Sequence, residues 1–235
     1  MSQDDRSRRP QRALSTCSRL TDCYSMFKVK LSRRYGNKEA AKLKLLGITG
    51  SIGMGKTATA LIFRSVGVPV HDSDKAVHKL YAGDAVGPIG QLFPTAVREG
   101  RVDRKQLANI LQSDKMALMR IEQIIHPLVA KDRINFIATH RRAGAKIVAI
   151  DVPLLFETEM EAHVDVVITI TALKSVQRER VLARSGMTES KFALLMERQR
   201  PDLEKRIRSH YVIDTSYGFD WVQAEISGLL RTLAN

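Results

Sequence analysis

A chain of 235 residues with 44% hydrophobic and 27% charged side chains has the composition of a globular protein with one core and room for a small insertion. No apolar run approaches the ~18 residues that a membrane helix needs, and the N-terminus lacks the apolar centre of a secretion signal, so the expected compartment is the cytoplasm. The net charge of +13 would fit a nucleic-acid binder, yet residues 1–44 hold 12 Lys and Arg against 4 Asp and Glu, leaving 26 against 21 in the other 191 residues.

Residues 1–44 are rich in Ser, Arg and Lys and show no sustained apolar periodicity, which predicts a disordered or loosely helical extension. The acidic pair Asp4 and Asp5 is at odds with an organellar transit peptide, which is normally acid-poor. Both cysteines, Cys17 and Cys23, also fall here. Two cysteines with no nearby histidine make neither a disulfide framework nor a zinc site.

From Leu45 the pattern sharpens. Leu45–Thr49 reads as a short buried strand, Thr57–Val66 as a helix, and Val68–Val70 as the start of a second strand. Residues 75–143 read as mostly helical, in segments Lys75–Tyr81, Arg104–Gln112, Asp114–Ile125 and Leu128–Arg142. His126-Pro127 is expected to break the last two, because proline lacks the amide a helix needs, and Gly144 is the stop signal. Strands resume at Ile147–Asp151 and Val164–Thr171. A helix over Leu173–Ser185 leads to Gly186 and a further helical region up to Ile207. Tyr211–Asp214 is the last strand, and Val222, Ile226, Leu229, Leu230 and Leu233 share one face of a closing helix. Short apolar strands alternating with helices predict an α/β fold, a parallel sheet covered on both faces.

The strongest motif is Gly50-Ser51-Ile52-Gly53-Met54-Gly55-Lys56-Thr57, which fits GxxxxGK[ST] between a strand and a helix. Its amides and the helix N-terminus supply partial positive charge for nucleotide phosphates. Lys56 is expected to reach the β- and γ-phosphates of ATP, and the Thr57 hydroxyl to bind Mg²⁺. Asp72 and Asp74 follow the second strand, at the edge where open α/β sheets collect ligands. A carboxylate there takes or orients a hydroxyl proton, or holds Mg²⁺ through water, or the segment serves only as a helix cap, with Ser73 or Asp74 in that place.

Asp151 ends an apolar strand and is a magnesium-supporting carboxylate or a local cap. In the loop beyond it, Leu154, Leu155 and Phe156 form an apolar surface, and Glu157 is either a substrate-site carboxylate or a solvated loop residue. Arg180 and Arg184, four apart on one helix face, precede Gly186 and a dense run of basic residues. They read as a mobile lid that neutralises phosphate charge, against the alternative of a solvated face laced with Glu179, Glu197 and Glu204.

With these residues assembled, the stretch from about Leu45 to Asn235 resembles the dephospho-coenzyme A kinases. The series GITGSIGMGKT, VPVHDSD, VDRKQLA, IEQIIHPLV, DVPLLFE, QRERVLAR and EKRIRSHYVIDTS carries the resemblance. It implies a P-loop kinase domain over residues 45–235, with an acceptor-binding helical insertion at about 75–143 and a lid at about 180–206. It also implies transfer of the γ-phosphoryl group of MgATP to the 3′-hydroxyl of dephospho-coenzyme A. Asp74 would then be the base or positioning group, and Arg104, His126, Leu154, Leu155 and Glu157 would lie on the acceptor side. The chain departs from the family in having Ser209-His210 where Ala-Asp is common, and Asp214-Thr215-Ser216 where an asparagine is common. Two rivals are a kinase for another nucleotide acceptor and, with the basic tail as its arm, a nucleic-acid-binding module or a nucleotide-dependent switch. A guanine-specific switch should carry an NKxD-type guanine reader, which this chain lacks.

Overall fold

The computed structural model describes residues 43–234, so the expectations for residues 1–42 and both cysteines lie outside the described residues. Leu43 is buried and Lys44 already opens the first strand, which moves the boundary of the folded part back from Leu45. Five strands form one parallel sheet: β1 (Lys44–Thr49), β2 (Val70–Asp72), β5 (Ile147–Asp151), β6 (Val166–Thr171) and β7 (Tyr211–Asp214), in the spatial order β2-β5-β1-β6-β7. A two-stranded antiparallel ribbon, β3 (Val97–Arg98) and β4 (Arg101–Val102), stands apart. The helices are α1 (Lys56–Ser65), α2 (Ser73–Leu80), α3 (Val86–Leu92), α4 (Arg104–Ser113), α5 (Lys115–Arg142), α6 (Lys174–Leu182), α7 (Glu189–Glu197), α8 (Asp202–Arg208) and α9 (Phe219–Ala234).

Alternation along the strands divides the core. Leu46, Ile48, Ile168, Ile170 and Ile213 face α1 and α9, meeting Ile62 and Phe63 from the first and Val222, Ile226, Leu229 and Leu233 from the second. Leu45, Val148, Ile150 and Val167 face the other way, onto Ile137 of α5 and the Leu155, Phe156 and Met160 turn. Each such side chain contributes about 1.5–3 kcal/mol when fully buried. That is why strands covered on both faces read as unbroken apolar runs.

The insertion between β2 and β5 has a core of its own, built on Leu80, Ile89, Phe93, Val102, Leu107, Ile121 and Ile125. Its α3 and the β3–β4 ribbon were not foreseen, because Gly- and Pro-bearing residues 86–102 carry little helical period. A larger correction concerns Pro127, which does not break the helix. Residues 115–142 form one helix with the proline inside it. Pro127 and Gln123, the residue whose carbonyl loses its partner, are both exposed, so water can satisfy that carbonyl. The flanks are pinned independently, Ile121 and Ile125 in the insertion core and Ile137 against the sheet. At an ideal rise the 28-residue helix spans about 42 Å, which lets one rod join both cores.

His71 of β2 locks this rod to the sheet edge. Its Nε2 lies 3.0 Å from Asp132 Oδ2 on α5, and its ring meets Phe136 edge-on at 5.4 Å. Burial lowers its pKa from the ordinary 6.5, an effect that Asp132 and Asp72 oppose and Arg133 reinforces. Lys79 also reaches Asp132, at 3.6 Å. The ring is therefore neutral in the folded protein and donates from Nε2. As pH falls below the ordinary histidine value, the unfolded chain binds a proton that folded His71 resists, and stability drops. Calorimetric melting from about pH 7.5 to about pH 5.5 should show a falling Tm, with that acid slope reduced in His71→Asn.

Candidate active site

The phosphate loop turns from β1 into α1 with almost no lateral room. Gly53 has φ +80°, and a Cβ placed on it would stand 2.5 Å from Val181 Cγ2 and 2.9 Å from the Gln177 carbonyl of α6. At Gly55, φ +87°, a Cβ would meet Thr215 Oγ1 at 2.8 Å. Ile52 is held on both sides. Its amide donates to Gln199 Oε1 at 3.0 Å, and its carbonyl accepts from Gln177 Nε2 at 2.8 Å. The Thr215 hydroxyl donates to the Met54 carbonyl at 2.9 Å, while Arg180 donates to the Thr215 hydroxyl at 2.7 Å and to its carbonyl at 3.0 Å. Arg180 therefore anchors the loop as well as lining its cleft.

The loop forms one wall of a cleft of about 650 Å³. The entire Gly50–Thr57 motif lines it, together with Asp74, Arg180, Arg184, Gln199, Thr215 and Phe219. Lys56 Nζ contacts Asp151 Oδ1 at 2.5 Å, and that carboxylate is only 3% exposed. Register places Asp151 beside both Ile48 of β1 and Asp72 of β2. Burial pushes the Asp151 carboxyl above the usual carboxylate range, Lys56 pulls it back down, and the nearby charges of Asp72 and Asp74 push it up again. Lys56 is thus the direct partner of Asp151, while the charges of Asp72 and Asp74 act on the same carboxyl.

The three carboxylates do different work. Asp72, not Ser73 or Asp74, caps α2: its Oδ1 accepts from the Lys75 amide at 3.0 Å. Asp72 is both the last residue of β2 and the residue that caps α2. Asp74 is then left exposed on the cleft wall, with no hydrogen bond or ion pair to the described residues. Thr57, exposed on the first turn of α1, likewise keeps its hydroxyl unengaged. These two oxygen groups, Lys56 and the loop amides are what the cleft offers to a triphosphate and a hard cation.

The other expected residues disperse. Leu155 is completely buried within the core under the sheet, where it cannot touch a ligand, and this corrects the reading of an apolar surface there. Leu154 beside it is 39% exposed. Glu157 faces the segment leading into α8: Lys205 Nζ, fully buried, lies 2.9 Å from Glu157 Oε1, which also accepts from the Arg200 amide at 2.8 Å. Arg104 is exposed at the start of α4, close enough to Tyr81 to oppose the upward effect of burial on that phenol. His126 is half-buried on α5. None of these five lines the cleft. Thr215 falls in the Asp214-Thr215-Ser216 segment singled out in the sequence, but Gln177, Gln199 and Phe219 were not foreseen. Each is a single polar or aromatic residue whose neighbours in sequence give no period or spacing to mark it.

Gly53→Ala should abolish tight nucleotide binding, because the methyl group meets backbone as well as a side chain. Gly67 has a similar φ of +85° but nothing within 4 Å. Gly67→Ala should therefore cost only about 1–2 kcal/mol of stability and leave binding intact. Nucleotide titration and thermal melting of the two variants separate contact from backbone strain.

Comparison with known proteins bears on the same residues. The dephospho-CoA kinase family model matches residues 44–220. A dephospho-CoA kinase of Mesorhizobium japonicum is 49% identical over 189 residues, covering 80% of this chain and 96% of the relative. One from Rhizobium meliloti is 46% identical, covering 80% and 97%. Among solved structures, protein TT1252 of Thermus thermophilus superposes with a TM-score of 0.72 at 31% identity, over 82% of this chain and 98% of its own. A Campylobacter jejuni dephospho-CoA kinase, at 19% identity and a TM-score of 0.58, covers 81% and 97% and shares the fold.

Proposed function

The chain belongs to the dephospho-CoA kinase family and is an ATP-dependent kinase, and on that premise we propose how its cleft performs the transfer. ATP lies with its phosphates along Gly50–Thr57, the acceptor is dephospho-coenzyme A, and Asp74 receives or orients the proton of its 3′-hydroxyl. The observation that supports this most is the division of labour in the acidic pair. Asp72 is consumed by the helix cap, while Asp74 stands free on the wall shared with Lys56 and Thr57.

The reaction forms a bond from the 3′-oxygen to the γ-phosphorus and breaks the bond from that phosphorus to the β,γ-bridging oxygen. The hydroxyl proton goes to Asp74, and ADP leaves with the displaced electron pair. Phosphoryl transfer asks the protein chiefly for alignment and charge neutralisation. Lys56 would exchange its Asp151 partner for phosphate oxygens. Arg184, exposed on the cleft, would add charge from the lid, as Arg180 would from its fixed place on Thr215. Mg²⁺, held by the Thr57 hydroxyl with support from Asp151, would screen the phosphates. On the acceptor side we retain Arg104, His126 and Leu154, carried by the insertion and the loop after β5. No described helix is long and apolar enough to cross a membrane, and we propose that the enzyme works in the cytoplasm.

The direct test is ADP release from MgATP with and without dephospho-coenzyme A, using adenosine and AMP as comparison acceptors. Stimulation by dephospho-coenzyme A with matching formation of coenzyme A is expected; stimulation by another acceptor alone would discard the substrate assignment. Asp74→Asn should lower kcat by about a hundredfold or more and leave ATP affinity within a few-fold. Near-normal turnover would remove Asp74 from the chemistry. Lys56→Ala should impair both nucleotide binding and turnover, measured in the same assays.

A further inference from the structure

The segment between α7 and α8 joins the phosphate loop to the loop after β5. Gln199 accepts from the Ile52 amide at 3.0 Å, one of the donors in the phosphate loop. The next residue, Arg200, donates its own amide to Glu157 at 2.8 Å. Two residues further, Asp202 accepts from the Thr171 hydroxyl at 2.8 Å at the end of β6. Lys205, without any exposed surface, returns to Glu157 at 2.9 Å. Glu157 therefore holds residues 200 and 205 at once, and residue 200 adjoins Gln199. On the opposite side Gln177, itself buried, fixes the Ile52 carbonyl.

We infer that Gln199 and Glu157 are positioning residues for the ATP side of the reaction: Glu157 holds the α7–α8 segment, and that segment holds Ile52 and thereby the shape of the phosphate loop. This rests on the reading that the loop binds ATP, and it moves Glu157 from ligand of the acceptor to support of the donor. Two features favour it. The Arg200 hydrogen bond and the Lys205 ion pair both fall on Oε1, and the carboxylate lies outside the cleft against a fully buried ammonium. A buried charge whose partner is removed is costly to keep, so neutralising Glu157 should displace α8 and release Gln199 without touching the acceptor.

The test is steady-state kinetics of Gln199→Ala, Glu157→Gln and the double variant, with each substrate varied in turn. Losing one such hydrogen bond predicts a rise of about threefold to tenfold in KM for MgATP, with KM for dephospho-coenzyme A within about twofold. The double variant should be no worse than the poorer single one, because both act through one chain of contacts. Glu157→Gln combined with Lys205→Met removes both buried charges while an amide oxygen still faces Arg200. It should restore KM for MgATP towards the wild-type value and guards against a Glu157→Gln variant that fails to fold. A change confined to KM for dephospho-coenzyme A, additive effects in the double variant, or no recovery with Lys205→Met would each overturn the inference. A wild-type protein that releases no ADP would instead refute the kinase reading on which it stands.

Discussion

The close packing of the phosphate loop is the constraint on which the rest of the structure depends. A loop that presents its amides to a phosphate must keep side chains out of its own interior, and here the space they would fill is taken by Val181, the Gln177 carbonyl and Thr215. The first two belong to α6 and the third to the turn after β7. The loop's conformation is therefore imposed from outside by α6, by the turn after β7 and by the approach to α8. A parallel sheet with β1 at its centre makes this possible, since β6 and β7 on one side and β5 on the other all end at the same edge.

Electrostatics at that edge follow from strand register. Parallel pairing sets Asp72 opposite Asp151 and Asp151 opposite Ile48, which brings two carboxylates and the base of the loop together without any local sequence signal. Three acidic groups at one edge would repel one another in a dry setting. The arrangement is tolerated because Asp151 is paired with Lys56, Asp72 caps α2 through Oδ1 while its Oδ2 lies 3.9 Å from Arg64 and 3.8 Å from Lys75, and Asp74 is solvated. The same facts explain why residues of one chemical type two positions apart have different tasks.

Where the sequence pattern and the structure part company, a tertiary contact has outweighed a local rule. Pro127 should have ended a helix; two separately packed flanks keep the rod continuous and leave the orphaned carbonyl to water. Leu154 and Leu155 look alike in a loop, yet one is half in solvent and the other is sealed beneath the sheet, because Leu155 fills the space that Gly47 leaves on β1. Glu157 reads locally as a free carboxylate and is bound to a lysine 48 positions later.

The sequence by itself determined the order of strands and helices, the parallel sheet, the phosphate loop at Gly50–Thr57 and the membership of the family, because these rest on apolar period, glycine spacing and motif series that a short window contains. The Lys56–Asp151 pair and the grip of Gln199 and Thr215 on the loop were decided only by the tertiary structure. Their partners lie 95, 147 and 161 residues apart for the Lys56, Gln199 and Thr215 contacts. No local pattern encodes such distances; they close only when the strands have paired in register and the helices have packed across them.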